Sequence, residues 1–169
     1  EFGQPQRGDV VVFHNISDED YIKRLIGMPG DRIQVKEGRL YINGTMVERE
    51  LVGEGTDIND RLQPMSVNIY RETLPGGMVH TIQEHSDNED LDNTEEYVVP
   101  AGHYFMMGDN RDRSADSRVL SQVGYVSKDQ IVGKAEARFF SITNNIPPWQ
   151  LWEWPANVRW DRMFQSVYQ

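Results

Sequence analysis

The chain has 169 residues, of which 38% are hydrophobic, so we expect one domain or one core with a large insertion. It contains no cysteine, which excludes disulfides, thiolate catalysis and cysteine-bound zinc. The net charge is −10 and the pI is about 4.8, the opposite of the balance in nucleic-acid-binding proteins. No stretch approaches the ~20 apolar residues of a transmembrane helix. The abrupt start at Glu1 leads us to expect a truncated chain.

Strand signals dominate the first fifty residues. Residues 10–13 form a β-branched run, and residues 21–26 are apolar with two embedded cations. Two alternating segments follow, Arg32–Lys36 and Arg39–Ile42, and then the dipeptide Asn43-Gly44. Because Asn and Gly tolerate a positive φ, this dipeptide predicts a tight hairpin. We therefore expect an antiparallel meander.

Residues 51–96 differ in character, since Gly, Asn, Asp and Pro become frequent. Strand-like pieces persist at 66–71 and 78–83, so we predict an inserted, smaller, mostly β subdomain over 51–96. Residues 84–96 contain seven acidic side chains. Such a run favours an exposed charged loop, and a calcium site is the alternative.

Apolar strand character returns at 97–99, 104–107 and 131–142. Residues 143–169 contain all four tryptophans of the chain. This tail is predicted either to lie at a surface or membrane interface or to pack back onto the core. The fold class predicted is mainly β, with antiparallel sheets, little helix and a discontinuous catalytic core over 7–50 and 97–142.

Lys23 is the first candidate for chemistry. In a strand, alternation places it on the same face as Tyr21 and Leu25. An inward-facing lysine between large apolar side chains loses solvent, which lowers its pKa and can make it a base. The alternative is an edge lysine whose amine stays in water.

Residues 108–118 are the second candidate. All of them except Gly108 and Ala115 are Asp, Asn, Arg or Ser, a density that requires internal hydrogen bonds if the segment is buried. A surface turn with ion pairs is the alternative. A calcium loop starting at Asp112 is excluded, because its sixth and twelfth positions are Ser117 and Val123.

Three blocks taken together resemble type I signal peptidases, and the resemblance covers most of residues 7–142. They are Arg-Gly-Asp-Val-Val-Val-Phe from Arg7, Tyr-Ile-Lys-Arg from Tyr21 with Gly-Met-Pro-Gly-Asp from Gly27, and Gly-Asp-Asn-Arg from Gly108 followed by Ser114. The last two blocks are highly specific. The resemblance implies a serine endopeptidase with a Ser–Lys pair, and no cofactor or metal.

The resemblance also implies roles for individual residues. Lys23 is the general base, and Ser114 orients its amine. Asp116 and Arg118 form an ion pair beneath the site, which fits the need to keep a free carboxylate away from the base. Gly108 allows a close backbone approach. Further support for the site is expected from Asp109, Asn110 and Arg111.

The substrates implied are secretory preproteins carrying signal peptides. Their extended backbone is expected to pair with Asp20, Tyr21 and Ile22 by β-augmentation, with small pockets selecting small side chains before the cleavage site. The implied location is the bacterial cytoplasmic membrane, with the catalytic part on the outer side. A missing N-terminal anchor and the tryptophan-rich tail are the expected membrane contacts. No nucleic acid partner is expected.

The chain departs from the family at two places. The nucleophilic serine is expected in an upstream Ser-Met-x-Pro type motif, which does not occur here, so the chain alone is predicted to be inactive. Met65-Ser66 has the reversed order and is not a candidate. Val119-Leu120-Ser121 stands where relatives often carry aromatic residues and Gly. Two alternatives remain: a non-catalytic signal-peptidase-like binding or assembly module, and a self-cleaving repressor-type peptidase.

Overall fold

The structure is a computed structural model that describes residues 3–17, 19–59 and 61–135. These residues form twelve strands and one 3₁₀ helix, Lys128–Gln130. The strands are β1 (Val10–His14), β2 (Asp20–Gly27), β3 (Arg32–Lys36), β4 (Arg39–Ile42), β5 (Thr45–Met46), β6 (Glu48–Ile58), β7 (Pro64–Thr73), β8 (Val79–Glu84), β9 (Tyr97–Val98), β10 (His103–Met107), β11 (Val126–Ser127) and β12 (Ile131–Lys134). The predicted mainly β, antiparallel fold with little helix is confirmed.

A five-stranded antiparallel sheet has the order β11-β10-β2-β1-β12, which places β2 at its centre. The apolar runs that predicted β1, β2 and β10 supply its buried side chains, among them Phe13, Leu25 and Met106, each 0% exposed. Burial on this scale fixes the register, because a slip by one residue would turn these side chains to the opposite face.

A four-stranded sheet, in the order β5-β4-β3-β9, packs around a second apolar cluster that includes Ile33 and Leu40. The predicted hairpin at Asn43-Gly44 is confirmed. Asn43 has a φ of 52° and Gly44 a φ of 79°, and Ile42 pairs with Thr45 across the turn. Positive φ at both central residues matches the twist of the two strands.

A three-stranded antiparallel sheet joins β6, β7 and β8. Pieces of β7 and β8 were expected from their alternation, whereas β6 was not, because Gly53, Gly55 and several charged residues resemble a loop. The backbone ladder from Glu48 opposite Thr73 to Ile58 opposite Pro64 forms this strand instead. The division into a core and an insertion over 51–96 stays a prediction.

The acidic run is more buried than expected. Glu84 is only 2% exposed and Asp92 only 1%, so the exposed-loop interpretation is wrong for these two side chains. The burial of Glu84 is explained by Arg49, whose guanidinium contacts the Glu84 carboxyl group. The same guanidinium also donates to Asp87 Oδ1 at 2.9 Å. Asp92 accepts the Glu89 N–H at 2.6 Å. The predicted tail over 143–169 and the predicted strand beyond residue 135 lie outside the described residues.

Candidate active site

Lys23 lies in the middle of β2, with its side chain on the face that alternation predicts. Its Nζ is 5.7 Å from the centroid of the Tyr21 ring, and Leu25, the next residue on that face, is fully buried. The side chain of Lys23 is partly buried, which takes its amine away from much of the surrounding water.

The structure brings Lys23 together with Ser114, 91 residues further along the chain. Lys23 Nζ donates to Ser114 Oγ at 2.8 Å. Burial disfavours the ammonium form and lowers the pKa of Lys23, against the carboxylates of Asp116 and Asp109, while Arg118 adds to the lowering. The result is an amine prepared to lose its proton nearer to neutral pH than an ordinary lysine.

Gly108 is where the backbone leaves β10 and passes directly over Ser114. A Cβ at Gly108 would lie 1.9 Å from Ser114 Oγ and 2.3 Å from Ser114 Cβ, distances that real atoms do not reach. Only glycine therefore lets Ser114 occupy its position beside Lys23.

We expect Gly108→Ala to displace Ser114 and to lower the free energy of unfolding by about 1–3 kcal/mol or more, because the extra methyl overpacks a buried loop. Chemical denaturation measures the change. Gly133→Ala is the matched control, since nothing lies within 4 Å of the Cβ it would add. Equal stability of the two variants would show that the loop yields freely.

Asp116 and Arg118 form a buried ion pair close enough to Lys23 to influence its charge. Arg118 donates from Nε to Asp116 Oδ1 and from Nη2 to Oδ2, both at 2.9 Å, and Gly108 N–H donates to Oδ2 at 2.9 Å. Burial acts to raise the pKa of Asp116, but Arg118 and the Gly108 N–H outweigh it and lower that pKa. The hydrogen bonds to its two oxygens thus come from Arg118 and Gly108, and Lys23 contributes only a weaker electrostatic attraction.

A second buried pair fixes the strand that carries the lysine. Arg24 donates from Nε and Nη2 to the two oxygens of Asp109 at 2.8 and 2.7 Å, a bidentate arrangement. Burial opposes ionisation of Asp109, but Arg24 and His80 hold the pKa of this carboxyl well below its usual range. Position 109 is therefore tied to β2 next to Lys23.

The remaining predicted support residues reach toward the three-stranded sheet. Asn110 Nδ2 donates to Asp57 Oδ2 at 3.0 Å, and Arg111 Nη1 donates to Glu72 Oε2 at 2.9 Å. Sequence reasoning missed Asp57 and Glu72, and with them His80. The only indication in the sequence was that Glu72, between Arg71 and Thr73, is a charged residue next to a predicted strand. Alternation alone does not show whether such a side chain points inward or into solvent.

The N-terminal half of β2 has one unpaired edge among the described residues. β1 pairs with Asp20 through Arg24, whereas β10 pairs only with Arg24, Leu25 and Gly27. Leu25 exchanges backbone hydrogen bonds with Asp9 and Gly8 on the β1 side. Since N–H and C=O groups alternate in direction along a strand, those of Asp20 and Ile22 point to the open side.

Within residues 3–135, apart from Asp18 and Asp60, no cluster of three or more His, Asp or Glu side chains is arranged to hold a metal ion. In the same part of the chain, no helix has both the length and the apolar character to cross a membrane. The described residues bring together a partly buried amine, a neighbouring hydroxyl and an open strand edge.

Comparison with known proteins identifies the family. The family model "Signal peptidase, peptidase S26" matches residues 1–140. Signal peptidase I of Pseudomonas aeruginosa is 43% identical over 149 residues, covering 82% of this chain and 50% of that protein. Signal peptidase I of Rickettsia typhi is 38% identical over 186 residues, covering 98% of this chain and 67% of that protein. A crystal structure of a signal peptidase I from Enterococcus faecalis aligns with a TM-score of 0.48 at 24% identity, covering 80% of this chain and 100% of that chain.

The chain therefore belongs to the signal peptidases of peptidase family S26. It spans about half to two thirds of the length of the curated relatives it matches.

Proposed function

We propose that this chain is the base-bearing part of a membrane-associated serine endopeptidase that removes signal peptides from exported preproteins. Lys23 is the general base. The observation that carries the proposal is the 2.8 Å contact of Lys23 Nζ with Ser114 Oγ, in surroundings that lower the pKa of the amine. A neutral amine oriented in this way can take the proton of a separate, nucleophilic serine as the hydroxyl of that serine attacks a carbonyl carbon.

The reaction proposed is acyl transfer followed by hydrolysis. The serine oxygen bonds to the scissile carbonyl carbon, and its proton passes to Lys23. Lys23 then gives this proton to the leaving amine as the C–N bond breaks, which leaves an acyl-enzyme that water hydrolyses.

Ser114 serves to orient the base rather than to attack. Ser114 is only 7% exposed and is closely covered by Gly108, so a substrate carbonyl has no approach to its Oγ. The nucleophile in this proposal belongs to a Ser-Met-x-Pro type segment, which these 169 residues do not contain. The chain alone is therefore expected to be inactive.

The substrate binds along the open edge of β2. An extended preprotein segment would pair with the outward N–H and C=O groups of Ile22 and Asp20, which brings its scissile bond toward Lys23. Tyr21 lies on the lysine face and would line the pocket for a small side chain. Backbone pairing suits an enzyme whose substrates differ widely in sequence.

The proposed location is the outer side of the bacterial cytoplasmic membrane, which is where exported preproteins emerge. An anchor outside the described residues and the tryptophan-rich residues 143–169 would supply the membrane contacts, since Trp favours the interface.

A non-catalytic binding module is the second candidate, and the open edge of β2 by itself would suffice for it. Such a module has no need of Lys23, because holding an amine in a site that lowers its pKa costs free energy without adding to backbone pairing. The buried lysine therefore favours the enzyme.

The test is cleavage of a preprotein whose cleavage site follows small residues. We expect a longer protein that includes a Ser-Met-x-Pro segment to cleave it, and the 169-residue chain to leave it intact. Cleavage by the 169 residues alone would place the nucleophile within them. Binding without cleavage by the longer protein would favour the binding module.

A further inference from the structure

Buried charges connect the three-stranded sheet with the loop formed by residues 108–118. Glu72 on β7 accepts hydrogen bonds from Arg111 Nη1, at 2.9 Å, and from Arg111 Nη2. His80 on β8 has its Nε2 3.0 Å from Glu72 Oε1. Glu72 is 2% exposed and Arg111 3%, so water does not compete for these contacts. Burial acts to raise the pKa of Glu72, but Arg111 and His80 lower it to about 2.

Two routes lead from Glu72 to the surroundings of Lys23. Along the first, His80 Nδ1 lies 3.3 Å from Asp109 Oδ1, and Asp109 is bound by Arg24, the residue after Lys23. This route joins the three-stranded sheet to β2 itself.

The second route runs through Arg111. The Arg111 backbone carbonyl accepts a hydrogen bond from Arg118 Nη2, and Arg118 holds Asp116 beneath the lysine. Glu72 thus holds the Arg111 guanidinium. Through it, Glu72 also fixes the position of the Arg111 carbonyl, which accepts the hydrogen bond from Arg118.

The backbone of β8 reinforces the connection at the same place. Gln83 N–H donates to the Asp109 carbonyl at 2.8 Å, and Arg111 N–H donates to the Gln83 carbonyl at 3.0 Å. A bidentate carboxylate–guanidinium pair fixes the relative orientation of its two side chains, whereas an apolar contact of the same size would let them slide past each other. The sheet therefore sets where the loop lies and how it is turned.

We propose that Glu72 is a positioning residue of the active site, which through Arg111 and His80 holds loop 108–118 where Ser114 meets Lys23. The three-stranded sheet then contributes to the active site by positioning this loop. The effect on activity rests on the proposed function, whereas the placement of Ser114 against Lys23 does not.

The test is Glu72→Gln in the 169-residue chain, with the titration of the Lys23 amine followed through its ¹³Cε resonance. The chain has four lysines, so the resonance is readily assigned with Lys23→Arg. If the loop loses its orientation, Ser114 withdraws, water reaches the amine, and the pKa of Lys23 rises toward its ordinary value. A role in stability alone would leave the Lys23 titration of the folded molecules unchanged.

Glu50→Gln is the matched control, because Glu50 pairs with Arg71 at 3.4 Å in the same sheet but in solvent, and we expect it to leave Lys23 unchanged. If Glu72→Gln does not fold, the double variant Glu72→Gln/Arg111→Met removes both charges and leaves no unpaired one. The same rise in the Lys23 pKa is expected from it.

An unchanged Lys23 titration in whichever of these variants folds would overturn the proposal. In the longer protein, the acid limb of kcat/KM should move to higher pH, with about a tenfold loss of deprotonated lysine for each unit of pKa. A longer protein that cleaves nothing even as wild type would reject the proposed function, while the titration would still decide the role of Glu72.

Discussion

Lys23→Met in the longer, nucleophile-bearing protein is expected to lower the rate of preprotein cleavage by roughly 10²–10⁴-fold, the usual contribution of a general base. Met keeps the length and apolar stem of lysine and removes only the amine. The hydroxyl of Ser114 loses a partner but keeps its place under Gly108. Initial cleavage rates on a purified preprotein measure the effect.

Lys36→Met is the matched control. Lys36 also lies over a tyrosine ring, 5.1 Å from the centroid of Tyr41, but its side chain is exposed on β3. We expect this variant to cleave at the wild-type rate. Full activity in Lys23→Met would remove lysine from the mechanism.

Lys23→Met is also expected to change how the free energy of unfolding depends on pH. Burial lowers the pKa of Lys23 in the folded state, so between that pKa and its ordinary value the unfolded chain binds more protons than the folded one. Stability due to this group therefore rises with pH through that interval. Lys23→Met should lack this rise and should be more stable than wild type at neutral pH, as denaturation at several pH values would show.

Asp116→Asn is expected to have the largest effect on stability, about 3–5 kcal/mol, because it leaves the Arg118 guanidinium buried and unpaired. Arg118 is 4% exposed and Asp116 0%, so water cannot replace the lost carboxylate. The new amide would also turn an N–H group toward Gly108 N–H or the Arg118 donors. Urea denaturation measures the loss.

Glu96→Gln provides the comparison for that change. Glu96 lies 4.0 Å from Arg32, and both side chains are about half exposed, so removing this charge should cost no more than about 1 kcal/mol. A similarly small cost for Asp116→Asn would show that solvent enters the site when the carboxylate is lost.

Local patterns predicted what depends on neighbours in the chain. Alternation was enough to put Lys23 on the face of Tyr21, and the Asn43-Gly44 hairpin followed from φ preferences. Strand β6 escaped prediction because it is held by backbone pairing rather than by an apolar face. Whether its glycines and charges form a strand depends on β7 beside them.

The charged residues illustrate the same limit at longer range. The resemblance to a family pointed to Ser114 as the partner of Lys23, although 91 residues separate them. Glu72 and His80 had no such guide. Nothing adjacent in sequence indicates that a carboxylate on β7 meets Arg111, 39 residues away, since that contact exists only once two sheets have packed.

The unpaired half of β2 also bears on how the molecule behaves when concentrated. An unfilled strand edge is a template to which any extended chain can add, including a second copy of the same protein. Asp20 at the start of this edge and Lys23 further along place charged side chains where self-association would begin. A short peptide that pairs with this edge should therefore raise both the solubility and the melting temperature of the protein. Such a peptide would be a useful additive for crystallisation.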